Sequence, residues 1–577
     1  MYVDYESAIL INYSKMTNLP LKTSDIVTDP KESQKIQSID GLTFKKLIGA
    51  SLQWLKANQQ FVNSLNVFPV PDGDTGTNML LTMQAAYNEV VNSDETSISK
   101  MAKDIAQGAL MGARGNSGVI LSQIWRGFAR ALDNLPEMDS EILVRALNES
   151  RNTAYKGVVR PVEGTILTVI KDISIAVENA QTKTQDLEEL LKIAVNAADE
   201  SVKYTPELLP ILKTAGVVDS GGKGLYFILE GMLRMVQGNS LEASAVILHP
   251  IENMDLSDSM EDIEEGQDVE VVIDFSTNEP LDLETFYQRL SEIGTSVQVG
   301  EGEGMYRMHI HVEKEKTNEP LRYISTLGAW SKISMENLEL QMASKNSNNK
   351  GYQLSEFHEG EIAVVAVSPG LGISKILASL GVAAIIEGGQ TMNPSTEEIL
   401  KAFEDLPTQN VIILPNNKNI ILAADTARSV SVKNVKVIPS TSIPQGLSAM
   451  LRLDPEGDIE KIADEMTEAL ADVDTCEITT ATRSVEINGV EVQNGKIIGL
   501  LNGKLLVSGN TVEETCSHLL GKADMASRER ITLFYGENMS RTDVDKIAGN
   551  LSQNYPDHEI EIHEGGQPHY QLIISLE

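Results

Sequence analysis

Positive charge is scarce in this chain. Forty-seven Lys and Arg stand against 83 Asp and Glu, a net charge of −36 over 577 residues. A field of that sign repels nucleic acid and anionic membrane surfaces, so neither is expected as a partner. Cysteine is nearly absent. Cys476 and Cys516 lie far apart with no local signature, which excludes a disulfide scaffold and fits a reducing cytoplasm. No run of 18 apolar residues occurs, so no transmembrane segment is expected. The opening stretch, MYVDYESAILINYSKM, lacks a basic start ahead of an apolar run. No signal peptide is therefore expected, and the expected location is cytoplasmic.

What is present is the 41% apolar and 23% charged content of a globular protein, long enough for about three or four domains. Residues 1–36 are polar and aperiodic, an extension that is either flexible or the product of an upstream start, Met16 being a second candidate. Residues 37–240 carry three-four apolar spacing almost throughout, as in Phe44, Leu47, Ile48, Leu52 and Leu55, with Gly-rich breaks between the stripes. That reads as an all-α domain of about eight helices. Residues 241–267 form an acidic linker; IENMDLSDSMEDIEEGQDVE holds nine acidic residues and no basic one. A small α+β domain over 268–342 and a second linker over 343–359 follow. Residues 360–577 read as α/β, with fully apolar strands such as NVIILPNN and three Asn-Gly hairpin signals at Asn488, Asn494 and Asn502.

The densest chemistry lies in NVFPVPDGDTGTNM, Asn66 to Met79. A glycine-hinged turn brings Asp72 and Asp74 close together, an arrangement that a cation relieves. Magnesium prefers oxygen ligands and keeps positions open for phosphate. Thr75, Gly76, Thr77 and Asn78 open the next helix, where backbone amides favour an anion. The plainer reading is that the two aspartates shape a turn and cap a helix. GALMGARGNSGVILSQ (Asn116, Ser117, Gly118) and GVVDSGGKGL (Asp219, Ser220, Gly221) set two further glycine-hinged helix starts beside it. Three such termini converging on one polyanion favour phosphate binding over capping. DSGGKG lacks the spacing of a P-loop. SPGLGISKIL, Ser368 to Leu377, follows a strand and opens a helix, an arrangement that suits an anion, and reads either as a plain tight turn or as the remnant of a lipid-headgroup pocket.

These segments, with RPVEGTIL, resemble the nucleotide-binding subunit of dihydroxyacetone kinases. With EGGQTMNPS, LPNNKNIILAA and GGQPHYQLIIS they resemble, over nearly the whole chain, the ATP-binding component of bacterial fatty acid kinase. The resemblance implies an eight-helix barrel holding ATP and Mg2+, a middle domain, and a C-terminal domain like the fatty-acid-binding DegV family. It implies an enzyme of phospholipid synthesis, a dimer, that phosphorylates a fatty acid carboxylate on a separate carrier protein to give an acyl-phosphate. By carry-over Asp72 and Asp74 hold metal, with Asn66 at the place of a third acidic ligand. Thr75 to Asn78 contact phosphate or metal, Asn116 to Gly118 cradle phosphates, and Asp219 to Gly221 lie nearer the nucleoside. GGQTMNPS is a surface loop at a docking or dimer interface.

His309 and His311 in MHIHVE share one face of a strand. They are either two satisfied histidines or half of a zinc site. The resemblance adds a cysteine to such a set; Val272 stands near that position here, and Asp274, two residues on, is the group that would replace the thiolate. Three other readings stay open: a triose kinase component, a non-catalytic nucleotide-binding regulator, and a lipid carrier in which the C-terminal domain does the binding.

Overall fold

The computed structural model describes residues 35–66, 73–158, 160–241, 249–250, 269–277, 281–302, 305–337, 352–355, 357–390, 392–481, 485–487 and 489–577. The extension 1–36 and both linkers lie largely outside these, as does Asp72.

Ten helices are described up to residue 236: α1 (Gly41–Ala57), α2 (Gln59–Ser64), α3 (Thr75–Asn88), α4 (Ile98–Met111), α5 (Gly115–Ala131), α6 (Ser140–Lys156), α7 (Ile166–Gln181), α8 (Leu187–Leu208), α9 (Pro210–Ala215) and α10 (Ser220–Val236). Eight of them run 14 residues or more; α2 and α9 are six-residue pieces. The apolar stripe of α1 faces inward as its spacing predicts, Phe44, Leu47, Ile48, Leu52 and Leu55 all being buried. Asp40 caps it by accepting from Thr43 N–H. Each long helix from α3 to α8 packs on the next, and α10 returns to pack on α1 and α8. The last helix thereby brings its N-terminus back to that of α3.

The middle part is α+β. Strands β1 (Val269–Thr277), β2 (Thr295–Gly302), β3 (Met305–Val312) and β4 (Gly328–Asn337) carry helices α11 (Leu283–Ser291) and α12 (Glu319–Leu327). In the sheet β3 lies between β2 and β1, and β4 pairs with the other edge of β1. Phe275 and Phe286 anchor its core.

Beyond residue 360 two sheets follow. β5 (Ile362–Ser368), β6 (Ala384–Glu387), β7 (Asn410–Leu414) and β8 (Asn434–Val437) are all parallel, in the order β8-β7-β5-β6. Helices α13 (Leu371–Ser379), α14 (Thr396–Glu404) and α15 (Ile421–Val430) connect them, and the fully apolar β5 is buried from end to end. The second sheet has the order β11-β10-β9-β14-β12-β13, from β9 (Asp474–Thr480), β10 (Ile497–Leu501), β11 (Lys504–Gly509), β12 (Arg530–Tyr535), β13 (Glu559–Glu564) and β14 (Tyr570–Leu576). An antiparallel appendage is what the Asn-Gly signals predict; the sheet is in fact mixed, because β12 and β13 pair in parallel across helix α16 (Arg541–Asn554). Asn502 and Gly503 turn β10 into β11 with φ of 48° and 72°, the double left-handed geometry that Asn-Gly supplies.

One core cluster joins the helical and parallel-sheet parts. Ala113 and Val119, at and after the α4–α5 turn, are buried with Val365, Val367, Ile413 and Phe403.

Candidate functional site

Helix α3 starts at Thr75, directly after Asp74. Asp74 is 7% exposed and occupies the N-cap position, yet its side chain makes no bond to its own helix. Capping falls to Asn63 on α2, whose Oδ1 accepts from Gly76 N–H at 2.7 Å and Thr77 N–H at 3.1 Å. The amide of Asn78 bonds to the carbonyl of Asp74 inside the helix. The first turn of α3 is therefore not the open row of amides that its sequence suggests. Thr77 Oγ1 is taken too, accepting from Gln59 and Asn63. What α3 turns to the site is the carboxylate of Asp74 and the side chains of Thr75 and Asn78. Asn66 reaches the same carboxylate, Nδ2 to Oδ1 at 3.5 Å.

The other two glycine-hinged starts do meet this one. At the start of α10, Ser220 donates to Thr75 Oγ1 at 3.2 Å. At the start of α5, Gly115 has φ of +55°, and a Cβ there would lie 2.6 Å from Asn78 Nδ2. Gly118, one turn on, lies so close that a Cβ would sit 2.4 Å from Thr82 Oγ1. Only glycine allows α5 to enter α3's flank this closely. Ser117 is half-buried beside it and Asn116 is exposed, its amide donating to Asn419 Oδ1 at 3.2 Å.

Asp219 acts on its own helix. Its Oδ2 accepts from Gly222 N–H at 2.7 Å and caps α10. Burial outweighs that bond and pushes its carboxyl up to about 6. Gly221 and Gly222 are buried against Ile166 and Val169.

One further residue, which the sequence does not single out, completes the group. Asn393, in the GGQTMNPS loop after β6, is 2% exposed and donates Nδ2 to Asp74 Oδ2 at 2.5 Å. Its carbonyl accepts from Arg114 at 3.1 Å, and Arg114 pairs with Glu398 at 3.2 Å. Thr396 N–H donates to Ala113 carbonyl at 3.1 Å. The expected surface loop is thus folded in against the phosphate-loop candidates of its own chain. No local pattern marks Asn393, which stands 319 residues from its partner.

The zinc expectation finds no support among the described residues. His309 and His311 are buried on one face, rings 4.9 Å apart. Asp274 shares that face, but the register sets it opposite Arg307, and the guanidinium grips both its oxygens at 2.6 and 2.8 Å. That carboxylate is engaged with a guanidinium, which holds it in an ion pair of its own. Among the described residues no three His, Cys, Asp or Glu form a metal-holding group.

In SPGLGISKIL the glycines serve packing. A Cβ on Gly370 or Gly372 would lie within 2.5 Å of the backbone at 564–566, and Ile373 N–H is capped by the Gly565 carbonyl. It is a tight turn under the second GGQ. A separate cavity of about 640 Å³ opens beside the carboxyl ends of β5 and β7, with Lys418, Glu477, Asn502 and His569 among its walls. No described helix is long and apolar enough to cross a membrane.

Family models match three stretches of the chain: a DAK2 domain over residues 69–234, and the FakA-like (fatty acid kinase) middle and C-terminal domains over 265–345 and 363–577. An uncharacterized protein of Staphylococcus aureus (strain USA300) is 38% identical over 549 residues, covering 94% of this chain and all of its own. One from Staphylococcus haemolyticus is 38% identical over 553 residues with the same coverage. Among solved structures, the dihydroxyacetone kinase of C. freundii in complex with AMP-PNP and Mg2+ aligns at 17% identity and TM-score 0.27, covering 38% of each chain. A Streptococcus pneumoniae fatty acid kinase B3 protein loaded with linoleic acid aligns at 12% and 0.27, over 38% of this chain and 99% of that one.

Proposed function

This chain belongs to the FakA-like family of fatty acid kinases, and from that premise we propose that it transfers the γ-phosphoryl group of ATP to a fatty acid carboxylate, giving an acyl-phosphate and ADP. The acceptor is presented by a separate fatty-acid-binding carrier, and the kinase works as a homodimer in the cytoplasm, supplying phospholipid synthesis. The eight long helices are the barrel that holds the nucleotide.

The observation that carries this reading is the meeting of three helix starts around Thr75 and Asn78, beside a buried carboxylate that does not cap its own helix. Taking a carboxylate out of water is costly, and a cation beside it offsets the cost. The donors at hand are hard oxygens, on Asp74, Thr75, Asn78 and Asn66, which suit Mg2+ better than a softer metal. Asp72, outside the described residues, stands two positions before Asp74 in the sequence. When bound, the ion neutralises charge on the phosphoryl oxygens.

The chain's own residues position and shield. Ser117 and the glycine-enforced approach of α5 give the phosphates a close wall, and Ser220 with Thr75 closes the other side. A general base is not needed, since a carboxylate nucleophile, titrating near about 4, is already ionised at neutral pH. The absence of a His or Lys among these residues is consistent with that acceptor; an alcohol acceptor, as in a triose kinase, asks for a base.

Asp74→Asn is the decisive variant because it keeps the shape of a buried side chain. It is expected to abolish Mg2+-dependent ATP binding by calorimetry and ADP release in the presence of carrier-loaded fatty acid, with the melting temperature within a few degrees of wild type. Turnover intact in Asp74→Asn, or phosphorylated dihydroxyacetone as the product, overturns the reading.

A further inference from the structure

Asp74 and Asn393 form a buried polar contact between the helical part and the parallel sheet. The amide spends one end on it: Nδ2 donates to Asp74 Oδ2. The other end, Oδ1, is buried and has no hydrogen-bond partner among the described residues. An acceptor left so in a protein interior is costly, and sites of this kind are where a ligand or ion is to be sought. The amide cannot cure this by rotating, because Oδ1 would then face the carboxylate.

Position adds a second argument. Asn393 lies in the loop after β6, and Asn419, which meets Asn116, in the loop after β7. Both loops leave the carboxyl ends of the parallel sheet. Here that edge is pressed against Asp74, Gly115 and Asn116. The backbone of Asn393 is fixed from the other side by Arg114, itself held by Glu398. The carboxamide is thus oriented at the carboxylate by a built support.

We propose that Asn393 is a metal-site residue: its Oδ1 supplies an oxygen to the shell of the divalent cation held by Asp74, while its Nδ2 fixes the carboxylate. The C-terminal part then completes the nucleotide centre of the helical part in the same chain. This rests on the reading of Asp74 as an ion ligand, and the test separates the two.

Mn2+ binding to the full-length protein without nucleotide, followed by electron paramagnetic resonance, reads the shell directly. Asn393→Ala is expected to weaken Mn2+ by about tenfold or more. Asn393→Asp supplies an oxygen but sets two carboxylates face to face. It is expected to melt below wild type in EDTA, to bind Mn2+ at least as tightly as wild type, and to gain more melting temperature from Mn2+ than wild type does. Unchanged Mn2+ affinity in Asn393→Ala overturns the proposal and leaves the kinase reading standing. Asn393→Asp binding as weakly as Asn393→Ala also overturns it, showing a donor role alone. A wild-type protein that binds no Mn2+ removes both.

Discussion

Two aspartates in the helical part sit at helix starts and do opposite things. Asp219 caps α10 and has its carboxyl pushed up to about 6 by burial; Asp74 does not cap its own helix. For Asp219 the sign follows from linkage. The folded state holds its proton more tightly than the unfolded one, so stability falls as pH rises from about 4, the unfolded value, to about 6, and is flat above. Asp219→Asn keeps the cap and removes the charge. Its melting temperature should exceed that of wild type at pH 7.5 and equal it near pH 4; equal gaps at both pH values refute the burial argument. From the sequence, the two aspartates look alike, each beside glycines before a helix. The difference lies in who caps whom. Asn63 takes over at α3 from 13 residues upstream, a separation that no short-range pattern spans.

At the scale of elements, periodicity reads well wherever the environment is one-sided. The stripes of α1, α5 and α8 fall on the buried faces they predict. The apolar runs at β5 and β7 are buried parallel strands, and the Asn502–Gly503 hairpin has the expected geometry. What misleads is glycine at a helix start. Around Asp74 the glycines do permit convergence, whereas at Gly370 and Gly372 they make room for the chain at 564–566. Sequence shows that a Cβ is missing, not what fills its place. The tight cap on α3 gives a check. Asn63→Ala should cost about 1–2 kcal/mol of stability, and amide exchange at Gly76 and Thr77 should speed up more than elsewhere in α3. Protection unchanged at those two amides would show that the cap lies elsewhere.

For the molecule as a whole, the cluster of Ala113 and Val119 with Val365, Val367, Ile413 and Phe403 ties the first and last parts into one cooperative body. Each buried Val contributes about 1.5–3 kcal/mol through apolar burial. Val119→Lys puts an unpaired charge there. Calorimetry should show a single main transition of the helical and parallel-sheet parts in wild type, and two in Val119→Lys, with X-ray scattering giving a larger radius of gyration. One unsplit transition in the variant would show that this cluster does not couple them. That coupling is the least legible feature of the sequence, since Ala113 lies between two helices, Val119 sits on an ordinary helix stripe, and nothing local names a partner beyond residue 360.

The span of 319 residues between Asp74 and Asn393 also has a temporal side. A ribosome adding about 5–20 residues per second takes roughly 15–60 s to cover it. During that interval the helical part emerges without the amide that meets Asp74, and a chain that stops short of residue 393 lacks it. The enclosure of this carboxylate is a property that synthesis confers late.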